Sequence, residues 1–309
     1  MFCSMIRIRF QGRGGQGAKT AARILGTAAF LEGFTAQDSP LYGAERRGAP
    51  VSAFVRLARG PIFERGLIAH PDLVLVADET LLAHQAARVL EGVKDETPVF
   101  INSSRPAQEL KAEGACPGRF ITLDVTGLAL ARLGKRGVLS AALGAVAARL
   151  VGLKEAGVRS AVEQELREVG LSASTIEQNL TLALECFRLV SAAPLTESVP
   201  AEAPPTPLWT PQYEAPGRGS ARITAPANAP LHETGDWRTF RPVLDPEKCN
   251  GCWLCFAYCP DGAIRMDRQD KPVFDYDHCK GCLLCVEECP THALIVERET
   301  AGPRRKETA

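Results

Sequence analysis

The chain holds 309 residues with 36 basic and 36 acidic side chains, for a formal net charge of zero and a sequence pI near 6.9. Its length favours two domains over one, and the neutral balance excludes the basic footprint expected of a nucleic-acid binder. The longest apolar run, Val138 to Leu153, is broken by Arg149 and falls short of the ~18 residues that suggest a membrane span.

Met1 to Met5 is too short for a signal peptide. It leads into Ile6-Arg7-Ile8-Arg9-Phe10, which alternates apolar and basic residues as a half-buried strand would. Gly12-Arg13-Gly14-Gly15-Gln16-Gly17 follows. Ala18 to Glu32 then carries Ala21, Ile24, Leu25, Ala28 and Leu31 at helical spacing, with Gly33 as its stop. Strand, glycine loop and helix in this order open a doubly wound α/β domain. Gly12, Gly14 and Gly17 satisfy G-x-G-x-x-G, and Asp38 falls where a ribose-binding acid would sit. A P-loop would need Lys at position 18, but Ala18 stands there and Lys19-Thr20 come one residue late. Neither nucleotide reading is favoured. The loop does offer backbone N–H groups at a helix N-terminus beside Arg13 and Lys19, a general anion cradle. The plainer reading is a tight turn that lets strand and helix pack closely.

Ser39 to Pro50 reads as irregular, with Arg46 and Arg47 held between Gly43 and Gly48. A loop this long and this charged points to binding; the alternative is a solvated loop whose arginines pair with Glu45 or Glu64. Val51 to Leu57 resumes a strand, Asp72 to Ala77 is a buried-type strand, and Glu79 to Glu91 reads as a helix. Pro98 to Asn102 and Arg119 to Leu123 are further strands, and the chain is helical from Asp124 to about Ala192. Cys3, Cys116 and Cys186 have no metal-like spacing and read as buried or incidental thiols. The histidines, His70, His84, His232, His278 and His292, are scattered without motif partners, so no catalytic residue is expected.

Residues 1–192 thus form an α/β domain. Between Pro194 and Pro230 stand nine of the chain's 22 prolines, with few aliphatic residues. Residues 193–236 are expected to be an extended linker. Trp209 and Tyr213 within it either anchor on another surface or pack locally.

The remaining unit, residues 237–309, carries Cys249, Cys252, Cys255 and Cys259-Pro260, then Cys279, Cys282, Cys285 and Cys289-Pro290, two copies that start 30 residues apart. Each is C-x2-C-x2-C-x3-C-P, the bacterial two-cluster ferredoxin spacing, in which the fourth cysteine serves the other cluster. That pattern assigns Cys249, Cys252, Cys255 and Cys289 to one [4Fe–4S] cluster and Cys279, Cys282, Cys285 and Cys259 to a second. Structural zinc is the alternative, but two CxxC pairs would satisfy it and leave the third step and the Cys-Pro ending without a purpose. Flanking residues repeat as well, so the unit is an internal duplication of α+β type, each half too small to hold a core without its cluster. Such thiolates need a reducing compartment, and the cytoplasm is expected.

Arg9 to Gly17, with Tyr42-Gly43-Ala44-Glu45-Arg46-Arg47-Gly48-Ala49-Pro50-Val51, closely resembles the gamma subunit of 2-oxoacid:ferredoxin oxidoreductases, in its pyruvate and 2-oxoisovalerate branch. Gly235 to Pro242 ahead of the cysteines resembles the delta subunit of the same enzymes. The pair in one chain implies a gamma–delta fusion. The resemblance implies an enzyme complex that decarboxylates a 2-oxoacid such as pyruvate to acyl-CoA and CO2, with ferredoxin as electron acceptor. It places thiamine diphosphate and Mg in alpha and beta partner subunits, and the gamma domain beside them near where coenzyme A enters. The anion cradle and the paired arginines add the expectation that Gly12, Arg13, Gly14, Gly15, Gly17, Lys19, Arg46 and Arg47 meet its phosphates, the alternative being that Arg46 and Arg47 make subunit salt bridges. Two rival functions stand beside it: an NAD(P)H-linked iron–sulfur reductase using the Gly12–Gly17 loop, and a non-catalytic electron carrier or assembly protein.

Overall fold

The first strand, β1 (Met5–Arg13), is buried along its whole length. It pairs antiparallel with β3 (Pro50–Ala58) on one side and parallel with β4 (Leu73–Val76) on the other. Beyond β3 lies β2 (Thr35–Pro40); beyond β4 lie β5 (Pro98–Asn102) and β6 (Arg119–Leu123). The sheet order is β2-β3-β1-β4-β5-β6. This computed structural model describes residues 5–40, 48–84, 87–112, 117–134, 139–193, 195 and 233–299. The proline-rich segment with Trp209 and Tyr213, and also Arg46, Arg47, Cys3 and Cys116, lie outside the described residues.

Successive strand residues face opposite sides of a sheet. Ile6, Ile8 and Phe10 therefore join Ala53, Val55, Leu57, Leu73 and Leu75 in one core. Four helices cover that core: α1 (Ala18–Leu31), α4 (Ser140–Val151), α5 (Glu155–Glu168) and α6 (Ala173–Leu189). α3 (Val125–Leu133) leads into this layer, started by Asp124, whose side chain accepts from the Gly127 N–H. On the other face, Val74, Val76, Val99, Ile101 and Phe120 meet Leu81, Val89, Val93 and Leu110, the last carried by α2 (Ala107–Ala112).

Under β1 and β3 that second face is charged. Arg7, Arg9, Arg13 and Arg56 are all buried there. Arg7 Nη2 lies 2.5 Å and Arg56 Nε 3.5 Å from the Glu64 carboxylate. Arg9 donates to the carbonyls of Ile68, Val89 and Glu91. The strand expected to be half-buried is thus covered on both sides, because loops fastened by these arginines fold over the basic face. The same contacts correct the helix expected over Glu79 to Glu91. Among the described residues of that stretch no α-helix forms; Glu79–Ala83 is a 3-10 turn. Arg88 has φ 44, and the chain then offers the Val89 and Glu91 carbonyls to Arg9.

In the C-terminal module β7 (Phe240–Leu244) pairs antiparallel with β10 (Leu294–Arg298), and β8 (Ile264–Met266) with β9 (Pro272–Phe274). Helices α7 (Leu254–Ala257) and α8 (Leu284–Glu287) each follow a cysteine turn. The repeat extends to the backbone: φ is positive at Gly251 and Gly281, at Trp253 and Leu283, and at Gly262 and His292. Three of these six carry side chains that disfavour this region.

The α1–α4 contact supplies a test of packing. A Cβ on Gly144 would stand 2.8 Å from Ile24 Cγ2 and 3.1 Å from the Ala21 carbonyl oxygen. Alanine gains ~1 kcal/mol of helix propensity over glycine, whereas overpacking costs ~1–3 kcal/mol. Gly144→Ala is expected to lower the thermal midpoint of the N-terminal domain; a higher midpoint would mean that α1 yields freely.

Candidate functional site

Each cysteine run begins in a tight turn and ends against the other run. Gly251 (φ 70) and Gly281 (φ 63) take the left-handed conformation between the first and second cysteines, which costs glycine nothing. A Cβ on Gly281 would press on the Phe240 carbonyl and Arg238, so no other residue fits there. The fourth cysteine of each run is held by its own chain. Cys259 Sγ accepts from the Ala263 N–H and Cys289 Sγ from the Ala293 N–H, both at 3.3 Å.

Cys249, Cys252, Cys255 and Cys289 line one apolar cavity, with Leu244, Met266 and Leu294. Cys259, Cys279, Cys282 and Cys285 line a second, with Ile264, Phe274 and Leu283. Burial and then the neighbouring thiolates push the Cys285 thiol up to about 12. Burial raises Cys255 and Cys279 as well. Four ionised thiolates in an apolar cavity need a strong positive charge among them, which iron would supply when bound. Among the described residues no three His, Cys, Asp or Glu side chains converge as one ion requires. Soft donors spaced around a larger apolar volume fit a polynuclear iron–sulfur group better than a single zinc. Cys186 is unrelated to these sites: it lies on the buried face of α6, its thiol pushed up to about 12 mainly by burial.

The glycine loop turns inward. Gly14 N–H donates to the Ala49 carbonyl at 2.8 Å, Gln16 N–H to the Arg13 carbonyl at 2.9 Å, and Arg13 N–H to Gln16 Oε1 at 2.8 Å. Gly15 and Gly17 make the turn with φ 94 and 81, and Lys19 stands exposed in the first turn of α1. Arg13 is only 2% exposed. Its Nε lies 3.2 Å from Asp78 Oδ2, its Nη2 donates to Thr80 Oγ1 at 2.6 Å, and its Nη1 donates to the Gly48 carbonyl at 3.3 Å. Gln16 Nε2 adds a bond to Asp78 at 3.0 Å.

A residue of the other module completes this network. Thr239 Oγ1 donates to Asp78 Oδ2 at 2.7 Å and accepts from Gln16 Nε2 at 3.1 Å. Arg298 Nη1 reaches Asp124 Oδ1 at 2.7 Å. Gly48 (φ 94) has no room for a Cβ, which would stand 2.8 Å from the Trp237 carbonyl oxygen. The place so filled lies at the ends of β1 and β4, between parallel strands whose connections leave in opposite directions. Open α/β sheets bind ligands at that switch point; here the iron–sulfur module's Thr239 occupies it. Asp38, offered by sequence as a ribose ligand, lies mid-strand on β2, opposite Val55. β3 separates it from β1, so the adjacent parallel strands of a dinucleotide fold are not formed.

Sequence reasoning did not single out Asp78, Gln16, Thr239, Asp124 or Arg298. Their partners lie 62 to 223 residues away in pairs such as Gln16–Asp78 and Gln16–Thr239, beyond any local spacing rule. Ser103 Oγ donates to Glu79 at the same edge of the sheet, and Glu79 Oε1 has no partner among the described residues.

Residues 7–189 match the family described as pyruvate ferredoxin/flavodoxin oxidoreductase, and residues 241–299 match a 4Fe-4S dicluster domain. The common gamma subunit of the pyruvate/ketoisovalerate oxidoreductases of Thermococcus kodakarensis is 42% identical over 184 residues, 59% of this chain and 96% of that subunit. Pyruvate synthase subunit PorC of Methanothermobacter thermautotrophicus is 45% identical over 145 residues, 46% of this chain and 75% of that subunit. The crystal structure of pyruvate oxidoreductase subunit PORC from Thermotoga maritima aligns with a TM-score of 0.50 at 26% identity, covering 60% of this chain and 96% of that one.

Burial by itself pushes the Asp78 carboxyl up, but Arg13, Thr80, Thr239 and Gln16 together outweigh it and hold the group below its ordinary value. A carboxyl lowered on folding stabilises fully above its unfolded value of ~3.9 and loses that contribution as pH falls through the folded value. Asp78→Asn leaves Arg13 buried without a counter-charge, at a cost of ~3–5 kcal/mol. Thermal scans at neutral pH are expected to show that loss, and the gap from wild type should narrow on acidification below pH 4. Equal melting of the two proteins at pH 7 would show that the pair does not hold the fold.

Proposed function

Because the chain belongs to the pyruvate ferredoxin/flavodoxin oxidoreductase family and joins to it a 4Fe-4S dicluster domain, we propose that it is the fused gamma–delta subunit of a 2-oxoacid:ferredoxin oxidoreductase. The observation that carries this reading is the pair of four-cysteine cavities, each taking three cysteines from one run and one from the other. Cys249, Cys252, Cys255 and Cys289 hold one [4Fe–4S] cluster; Cys279, Cys282, Cys285 and Cys259 hold the other. When bound, such clusters supply one-electron transfer, which a two-electron decarboxylation needs in order to release its electrons stepwise to ferredoxin.

The chain's own residues do the rest. Leu244, Met266, Leu294, Ile264, Phe274 and Leu283 line the two cavities with apolar side chains, and the Ala263 and Ala293 N–H groups point at cysteine sulfur. Hydrogen bonds of that kind shift cluster potentials. Thr239 and Arg298 fasten the module to the end of the gamma-type sheet. Thiamine diphosphate and Mg belong to alpha and beta partners, which bind the 2-oxoacid, pyruvate or a related substrate. Thiolate ligands suit a reducing cytoplasm. Among the described residues no helix is long and apolar enough to cross a membrane.

Coenzyme A is proposed to meet this chain beside the glycine loop. Pro40 and Gly48, which flank the Arg46–Arg47 segment, both lie at the edge where Gly12 to Gly17 emerges. Arg46, Arg47 and Lys19 are the cations proposed for its phosphates, since Arg13 is committed to Asp78. The inward bonding of the loop and the position of Asp38 speak against the NAD(P)H-linked reductase.

Purification from the native host should bring down alpha and beta partners bearing thiamine diphosphate. The chain should carry about eight iron and eight acid-labile sulfide; stoichiometric zinc without sulfide would refute the cluster reading. Cys259→Ser should damage the cluster that Cys279, Cys282 and Cys285 hold, seen by EPR, and damage confined to the other cluster would reverse the ligand grouping. In the assembled complex, Arg46→Ala or Arg47→Ala should raise KM for coenzyme A roughly ten- to hundredfold, the equivalent of ~1.5–3 kcal/mol. Unchanged KM in both variants would leave the loop structural.

A further inference from the structure

Each cysteine turn receives one cation on the carbonyl of its first cysteine. At the second run, Arg238 Nη1 donates to the Cys279 carbonyl at 3.1 Å and also to the Tyr276 carbonyl. Its Nε donates to Glu299 Oε1 at 2.5 Å, and the residue is 8% exposed. At the first run, Lys271 Nζ donates to the Cys249 carbonyl and, at 3.3 Å, to the Pro246 carbonyl. The two cations come from different segments. Arg238 precedes β7 in the stretch that meets the N-terminal domain, whereas Lys271 lies in the turn between β8 and β9. Neither touches a sulfur, so neither is needed as a ligand.

We infer that Arg238 and Lys271 each set the reduction potential of one cluster, with Glu299 moderating Arg238. The inference rests on the ligand grouping proposed above. Reduction by one electron adds one negative charge to a cluster and leaves its ligands in place. A cation fixed one residue from the cavity stabilises the reduced state more than the oxidised one and raises the midpoint. An adjacent carboxylate opposes it. Arg238 is buried, so its effect persists in salt; Lys271 is half-exposed, and its effect weakens as ionic strength rises.

The test is an EPR-monitored redox titration of the full-length chain carrying its clusters, after iron and sulfide analysis. Arg238→Gln should move one of two one-electron waves to lower potential and leave the other in place. Lys271→Gln should move the other wave downward, less so at high salt. Glu299→Gln, which keeps Arg238 and removes its counter-charge, should move the first wave upward. Arg238→Lys should restore part of the shift. Opposite signs for Arg238→Gln and Glu299→Gln separate an electrostatic role from loosened packing. Should Arg238→Gln fail to retain its cluster, Glu299→Gln and Lys271→Gln still decide. Two intact waves that ignore these substitutions, or that move together in every variant, overturn the inference alone. Iron and sulfide far below eight each, or a single wave, overturn the two-cluster reading and this inference with it.

Discussion

A buried ion pair closes the centre of this molecule. Arg13 and Asp78 stand at the ends of neighbouring parallel strands, 3.2 Å apart and almost without solvent. Thr80, Gln16 and Thr239 supply the remaining donors to the carboxylate. A buried pair adds little net stability over an apolar substitute, yet losing one partner is severe. Its use here is positional. The pair selects one place for Thr239, and with it one seat for the C-terminal module at the ends of the central strands β1 and β4. The glycine loop follows from the same constraint, since Gly14 and Gly48 exchange backbone bonds with the chain around Arg13.

The arginines of β1 extend that logic along the strand. Apolar residues on one face build the core beneath α1 and α4, while Arg7 and Arg9 on the other gather Glu64, Asp72 and loop carbonyls. The chain from Arg88 to Glu91 is shaped by Arg9, which needs carbonyl acceptors more than that segment needs a helix. Tertiary demand of this kind overrides local propensity.

The C-terminal module depends on a different force. Its apolar core is small, centred on Ile264, Cys285 and Leu294. Thiols crowd around two cavities, and only a bound positive charge relieves the repulsion of their ionised forms. Matching left-handed residues in the two halves place the cysteines alike, and each cavity takes three cysteines from one half and one from the other. Under the ligation proposed above, loss of Cys259 or Cys289 would weaken the cluster of the other half.

The sequence alone determined the elements whose signal is local. Periodicity marked β1, α1, β5, β6 and the helical stretch after Asp124, and cysteine spacing marked the two groups of four cysteines that line the cavities, because residues two or three apart leave a pattern in the chain itself. The strand β2 escaped notice, its residues Thr35 to Pro40 being too polar for a strand rule. What only the tertiary structure decided was which polar residues meet across long separations. Arg13 looked like an anion ligand beside a glycine loop, and Gln16 and Thr239 looked like nothing in particular. The fold brings all three to Asp78, because the sheet order sets the end of β4 beside the end of β1, and the carboxylate there offers buried donors the acceptors they need.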